Sequence, residues 1–223
     1  MKQMLLDLQP DAPPAFSNFV GGANAVLLQA LRDAIGGNDH VYLWGPPESG
    51  RTHLLRAAVS AAAEAGRPSQ YLEGVTIGET LPGAPGHLLA IDDVESLSET
   101  GRTAVFNAFN RARFDNVTLL LCGATPPIDL RLREDLRTRM GQCLVFELRP
   151  LDDATRAAII ATLAERRGLH LPQEVIDFLL RHGRRDMSSL ITAVDAIDRA
   201  SLEFKRPATL PLLRALMQTG LDI

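Results

Sequence analysis

Three features of this sequence predict an α/β fold, a parallel sheet covered by helices on both faces and followed by a small all-helical domain. Apolar strand-like runs alternate with helical patterns through the first two thirds of the chain. One of those runs, Val41-Tyr42-Leu43-Trp44, feeds a glycine-bounded loop that opens directly into a helix. After Pro150 the strand patterns cease and only helical periodicity remains. Strands separated by helices are the signature of a parallel sheet. The change of texture puts a boundary near residue 150, giving an α/β domain over 16–150 and a helical domain over 151–223, behind a leader of residues 1–15.

The leader ends in Pro10, Pro13 and Pro14, which prevent a regular element there. Residues 25–35 are amphipathic, with Gly36 and Gly37 as a stop signal. Strand-like runs follow at 41–44, 70–72, 88–91, 117–122 and 144–146. Between them, 52–65 reads as a helix closed by Gly66, and 103–114 and 129–140 carry helical spacing. Beyond the boundary, Asp152 or Asp153 can cap a helix running to Arg166, and Pro172 opens another. Met187, Leu190, Ile191, Val194 and Ile197 trace one apolar face of a third. Pro207 and Pro211 bracket a last short helix.

Composition bounds the function classes. With 223 residues and 46% apolar content the chain can build a substantial core. Its formal charge of −4 and pI near 5.7 exclude a global basic field for DNA or an anionic membrane. No stretch approaches the ~20 apolar residues of a membrane span. The run after Lys2 is broken by Asp7 and is too short for a signal peptide. A soluble, cytoplasmic protein with no membrane partner is expected. Cys122 and Cys143 sit in apolar runs and read as small buried hydrophobes in a reducing compartment. Neither they nor the five histidines make a metal-ligand spacing.

The loop is Gly45-Pro46-Pro47-Glu48-Ser49-Gly50-Arg51-Thr52, followed by His53. It matches the phosphate-binding pattern G-x-x-x-x-G-K-[ST] with arginine in place of lysine. In such loops backbone N–H groups wrap the α/β-phosphates, the cation reaches the β/γ-phosphates and the hydroxyl, here Thr52, ligates Mg²⁺. The helix N-terminus adds its own positive end to the anion site. Arginine keeps the charge but is a planar fork rather than a compact ammonium, so binding is expected to survive better than hydrolysis. Further on, Leu88-Leu89-Ala90-Ile91-Asp92-Asp93 is an apolar strand ending in two carboxylates. In P-loop ATPases a strand-end Asp holds Mg²⁺ through water and a following acid polarises the attacking water. Asp92 is the metal candidate and Asp93 the candidate base; alone, the pair would equally suit a turn cap.

With these residues the chain resembles the AAA+ ATPases and, within them, the DnaA-related proteins. Phe16-Ser17-Asn18-Phe19-Val20-Gly21-Gly22-Ala23-Asn24 is similar to the F-x-x-F-V-x-G-x-N segment that packs around adenine, which implies adenine contacts from Phe19 and Val20. Leu136-Arg137-Thr138-Arg139-Met140 resembles the arginine-finger motif, with Arg139 in the finger's place. Arg184-Arg185-Asp186-Met187 resembles the lid motif whose arginine senses nucleotide, with Arg185 in that place. The resemblance covers roughly residues 16–217.

Several features narrow it. The sequence shows no counterpart of the helix-turn-helix domain by which DnaA reads DNA, so direct DNA contact is expected to be weak or indirect. Ala124, in Leu121-Cys122-Gly123-Ala124-Thr125, stands where relatives carry a polar sensor, which argues for weak or no ATPase activity by this chain. The leader Gln3-Met4-Leu5-Leu6-Asp7-Leu8 resembles the Q-L-x-L-x-L peptide that docks partners on the bacterial sliding clamp. An extended peptide there would place Leu6 and Leu8 in apolar pockets while the Gln3 amide makes hydrogen bonds, with Met4 alongside.

Together these traits resemble the Hda-type group. That resemblance implies a regulator that docks on the β-subunit clamp of DNA polymerase III and drives ATP hydrolysis by the DnaA initiator. Its own adenine nucleotide, ADP or ATP with Mg²⁺, would be structural. Head-to-tail AAA+ pairing would allow a homodimer or higher oligomer. The alternative is an ATP-driven nucleic-acid remodeller or helicase loader, which would need a basic nucleic-acid-facing surface. A P-loop phosphotransferase and an inert scaffold are weaker readings.

Overall fold

The computed structural model describes residues 13–82, 85–183 and 187–218. They divide into two compact units, Pro14–Leu151 and the part that begins at Asp152.

The first unit opens with helix α1 (Ala25–Gly36). Then come β1 (Val41–Trp44), α2 (Arg51–Glu64), β2 (Ser69–Glu73), β3 (Leu88–Asp92), α3 (Glu99–Asp115), β4 (Thr118–Gly123), α4 (Glu134–Gly141) and β5 (Leu144–Glu147). The strands form one sheet in the order β2-β3-β4-β1-β5. Every neighbouring pair is parallel. Val41 and Leu43 of β1 pack on one face with Leu31 of α1 and Leu54 and Leu55 of α2. Tyr42 packs on the other with Val105 and Phe109 of α3 and Leu136 and Met140 of α4. Because both faces are covered, the inner strands are apolar at nearly every position instead of alternating. Burial of each such leucine contributes about 1.5–3 kcal/mol.

Local signals set the helix ends. Ser98 Oγ accepts the Gly101 N–H at 3.0 Å to cap α3, and Asn116 ends it at φ 54° in the left-handed region. The expected helix over 129–140 is shorter. A 3₁₀ turn covers Pro127–Asp129, and α4 starts only at Glu134. Buried Leu130 anchors the intervening stretch, and Glu134 and Asp135 place their carboxylates at the positive end of the helix dipole.

Two polar side chains hold the sheet to its surroundings. Arg67, just before β2, donates to the carbonyls of Ala34, Ile35, Gly37 and Gly86 and to Thr118 Oγ1. His40 Nδ1 accepts the Leu119 N–H at 3.1 Å, and the ring meets Phe109 edge-on. Burial lowers the His40 pKa below 6.5, against a smaller opposing pull from Asp39. The unfolded ring therefore protonates first as pH falls. The neutral ring's contribution is full above pH 6.5 and is lost as pH drops through the folded-state pKa. The melting temperature of the wild type should fall more steeply between pH 7 and 5 than that of His40→Asn; parallel slopes in a pH series of scanning fluorimetry would contradict this.

The second unit contains α5 (Asp153–Arg166), α6 (Gln173–His182), α7 (Met187–Phe204) and α8 (Leu210–Gln218). Asp152 Oδ1 caps α5 through the Thr155 N–H at 2.6 Å. Ile160, Val175, Leu179, Leu190, Val194, Ile197 and Leu213 form its core. Pro211 lies inside the first turn of α8 instead of closing it. That position suits proline, whose missing N–H would have had no partner there. Cys122 is fully buried and Cys143 half-buried, both as free thiols. Burial pushes Cys143 up to about 12 and raises Cys122 still further, the Asp92 carboxylate adding to the rise at Cys122.

Candidate nucleotide site

The C-terminal ends of β1, β3 and β4 point to one edge of the sheet, where α/β proteins build their sites. The loop from Gly45 to Gly50 leaves β1 and ends at the N-terminus of α2. Gly45 leaves no room for a side chain, since a Cβ would stand 2.6 Å from the Leu148 carbonyl. Gly50 takes φ 99°, and a Cβ there would meet the Phe19 ring at 2.7 Å. Glu48 is also left-handed, at φ 61°. These turns bring the chain into α2 with no side-chain cap, so its first N–H groups have no side-chain acceptor. Ser49 Oγ and Arg51 Nη1 are buried without a hydrogen-bond partner. Buried polar atoms are normally paired, so a bound anion is what this cradle fits.

Segment 15–24 runs beside the loop. The Phe19 and His53 rings lie 5.6 Å apart, and the His53 ring Nε2 is 3.1 Å from the Ala15 carbonyl. Asn24 makes a reciprocal pair with Arg149, its Nδ2 donating to the carbonyl and its Oδ1 accepting the N–H. This ties the segment to the chain leaving β5. Val20 is half-buried next to Phe19.

Asp92 is buried at the end of β3. Thr52 Oγ1 donates to its Oδ2 at 2.6 Å, so the two residues expected to serve Mg²⁺ are brought together. Two donors join them that the sequence did not reveal. Tyr71 of β2 donates to the same oxygen at 2.7 Å, and the Cys122 thiol donates to Oδ1. Burial alone would raise the Asp92 pKa. The hydrogen bonds from Cys122, Thr52, Tyr71 and the Asp93 N–H outweigh it and hold the carboxylate below its usual value. The Tyr71 hydroxyl is pushed up to about 12 by burial and by the same carboxylate, and Arg56 stacks on its ring at 4.4 Å.

Asp93 is exposed, at φ 52°. A different acid reaches the end of β4: Glu95 Oε1 accepts the Ala124 N–H at 2.6 Å, while its Oε2 is buried without a partner. Tyr42 donates to the Thr125 carbonyl at 2.8 Å. The loop after β4 is thus pinned through its backbone, and Ala124 offers no polar side chain. Neither Glu95 nor Tyr71 stood out in the sequence, because each acts across strands whose order is invisible there.

Arg139 lies in the last turn of α4, exposed. Its Nη2 donates to Asn110 Oδ1 on α3 at 3.0 Å, and none of its hydrogen bonds reaches the loop. It borders an open depression of about 810 Å³ with Phe106, Arg133, Thr138 and Gln142. Arg137 is tied to the Ile128 carbonyl at 3.2 Å. Arg185, and the leader residues Gln3, Met4, Leu6 and Leu8, lie outside the described residues. No group of three or more His, Cys, Asp or Glu among the described residues could hold a metal. No described helix is long and apolar enough to cross a membrane.

Residues 153–217 match the family model described as Hda, lid domain. Among solved structures, the chain is similar to AMPPCP-bound DnaA from Aquifex aeolicus, at 23% identity over 84% of this chain and 66% of that one, TM-score 0.66. Domain III of the Thermotoga maritima replication initiation protein DnaA is similar at 21% identity, with 96% and 100% covered and a TM-score of 0.68. The Thermotoga maritima RuvB Holliday junction branch migration motor is similar at 21%, with 94% and 75% covered and a TM-score of 0.67. The chain spans 65% of the length of a crystallised DNA replication initiation factor and 66% of the Aquifex DnaA chain, under two thirds in each case. At these identities the likeness to solved structures is one of fold. The five-stranded parallel sheet, the loop after β1 and the C-terminal helical unit give the chain the fold of these AAA+ P-loop structures. The lid match adds to this within the helical unit alone, where residues 153–217 are similar to the lid domain of Hda.

Proposed function

We propose that the chain regulates replication initiation by stimulating ATP hydrolysis on the DnaA initiator while docked on the DNA-loaded sliding clamp. The observation that carries this reading is Arg139. Its guanidinium is exposed on the α3–α4 face and held by one hydrogen bond to Asn110, with none to its own phosphate loop. A finger that works in trans needs that exposure. Inserted beside a partner's γ-phosphate, it would stabilise the charge that develops as the phosphoryl group leaves, an effect of ~10³–10⁵-fold in rate where such fingers are measured. The match to the Hda lid and the DnaA-like fold support the choice of partner.

The chain's own site would hold adenine nucleotide, ADP in the resting state, with phosphates in the 45–52 loop and adenine near Phe19, Val20 and His53. When Mg²⁺ is bound, Thr52 would offer its hydroxyl, oriented by its hydrogen bond to Asp92, and the ion would neutralise phosphate charge. Arg185 would read the nucleotide from the helical domain. The candidate base, Asp93, and the arginine at position 51 would leave the chain's own hydrolysis slow or absent.

Clamp docking is assigned to Gln3, Met4, Leu6 and Leu8 from their pattern. Gln3→Ala combined with Leu6→Ala should abolish clamp binding in surface plasmon resonance and leave nucleotide affinity unchanged; retained binding ends the docking assignment. The whole reading is tested by following ATP on preloaded initiator with this chain, the clamp and DNA each omitted in turn. Steady ATP turnover by this chain alone, stimulated by single-stranded DNA, would favour a remodeller instead.

A further inference from the structure

An ionised carboxylate has about four lone-pair sites, two on each oxygen. In Asp92 the protein takes most of them, filling Oδ2. Oδ2 accepts from Thr52 and Tyr71, Oδ1 accepts from the Cys122 thiol, and the Asp93 N–H, shared with the Cys122 sulfur, adds a smaller contribution. The three side-chain donors come from separate elements of the fold. Thr52 lies in the first turn of α2, Tyr71 on β2 and Cys122 at the end of β4, while Asp93 directly follows β3. Strand order fixes this convergence, since β3 lies between β2 and β4 with Glu73 level with Asp92. Arg56 stacked on the Tyr71 ring holds the phenol in place from α2.

A Mg²⁺ ion at a P-loop presents bound water to this carboxylate, and that water needs a free acceptor. We propose that Tyr71 and Cys122 are positioning residues that occupy the Asp92 carboxylate, so that the site retains adenine nucleotide with little contribution from Mg²⁺. The proposal rests on the reading of this loop as a nucleotide site. Affinity then comes from the loop N–H groups, the helix N-terminus and the Arg51 guanidinium, whose Nη1 has no protein partner. Such a nucleotide is held through changes in free Mg²⁺, as suits a structural ligand. Removing either added donor frees a lone pair and couples the ion to the site.

The test is titration of the full chain with a fluorescent N-methylanthraniloyl ADP, in Mg²⁺ and in EDTA. The wild type should bind with dissociation constants within about threefold of each other in the two conditions. Tyr71→Phe and Cys122→Ala should each bind about tenfold more tightly in Mg²⁺ than in EDTA, the worth of one freed hydrogen bond to a charged group. Cys122→Ser, which keeps a donor, should stay indifferent to Mg²⁺, an outcome that lost packing alone would not produce. A wild type that already prefers Mg²⁺ by tenfold or more, or variants with the wild-type ratio, would overturn the proposal. No binding in either condition would overturn the nucleotide reading itself, and this proposal with it.

Discussion

Arg139→Ala should abolish stimulation of initiator hydrolysis, a loss of at least ~10³-fold in single-turnover rate, while the protein stays folded and docked. Folding should be spared because the side chain is exposed and loses only the contact with Asn110, a change of roughly 0.5 kcal/mol or less. Arg139→Lys should recover little, since a compact ammonium does not reproduce the planar fork that spans phosphoryl oxygens. Quenched-flow measurement of ATP loss from preloaded initiator checks both variants. Stimulation within a few-fold of wild type would move the finger elsewhere. Arg137 would be examined next, although its hydrogen bond to the Ile128 carbonyl already commits it to the fold.

Arg67→Ala should destabilise the α/β unit by about 3 kcal/mol, the largest stability effect expected from any single polar side chain here. Its guanidinium closes the C-terminal end of α1 by binding the Ala34, Ile35 and Gly37 carbonyls, which no further helical turn can satisfy. It also reaches the Gly86 carbonyl and Thr118 Oγ1, so one side chain joins α1, the approach to β3 and the start of β4. Thr118 is fully buried and itself donates to the Gly37 carbonyl, so the loss would not stay local. Arg67→Lys brings three donors on a single nitrogen and should recover only part of the loss. Trp44, the lone tryptophan, lies in β1 and reports the unfolding of this unit in urea. A loss below about 1 kcal/mol would mean that water replaces the guanidinium.

The fold was legible where burial dominates. β1, β3 and β4 appear as apolar runs because helices cover both faces of the sheet at those strands. The helix read over 129–140 failed for an identifiable reason. Leu130, Leu132, Leu136 and Met140 have helical spacing, yet the first two pack from a non-helical stretch that follows Pro126 and Pro127. The phosphate loop was legible because its residues are contiguous and glycine positions carry the turn geometry. The surroundings of Asp92 were not. Tyr71, Cys122 and Glu95 reach the site only through a strand order of β2-β3-β4-β1-β5, and no local pattern encodes which strand neighbours which. Cys122 was read as a small buried hydrophobe; it is buried, and its thiol also spends its proton on the Asp92 carboxylate.

The most direct measurement of the central claim uses initiator preloaded with radiolabelled ATP and follows its conversion to ADP over time. Rapid conversion is expected only when this chain, the clamp and DNA are all present. Omitting any one should return the slow intrinsic rate. Conversion that proceeds equally fast without this chain, or in its presence without the clamp, would contradict the account.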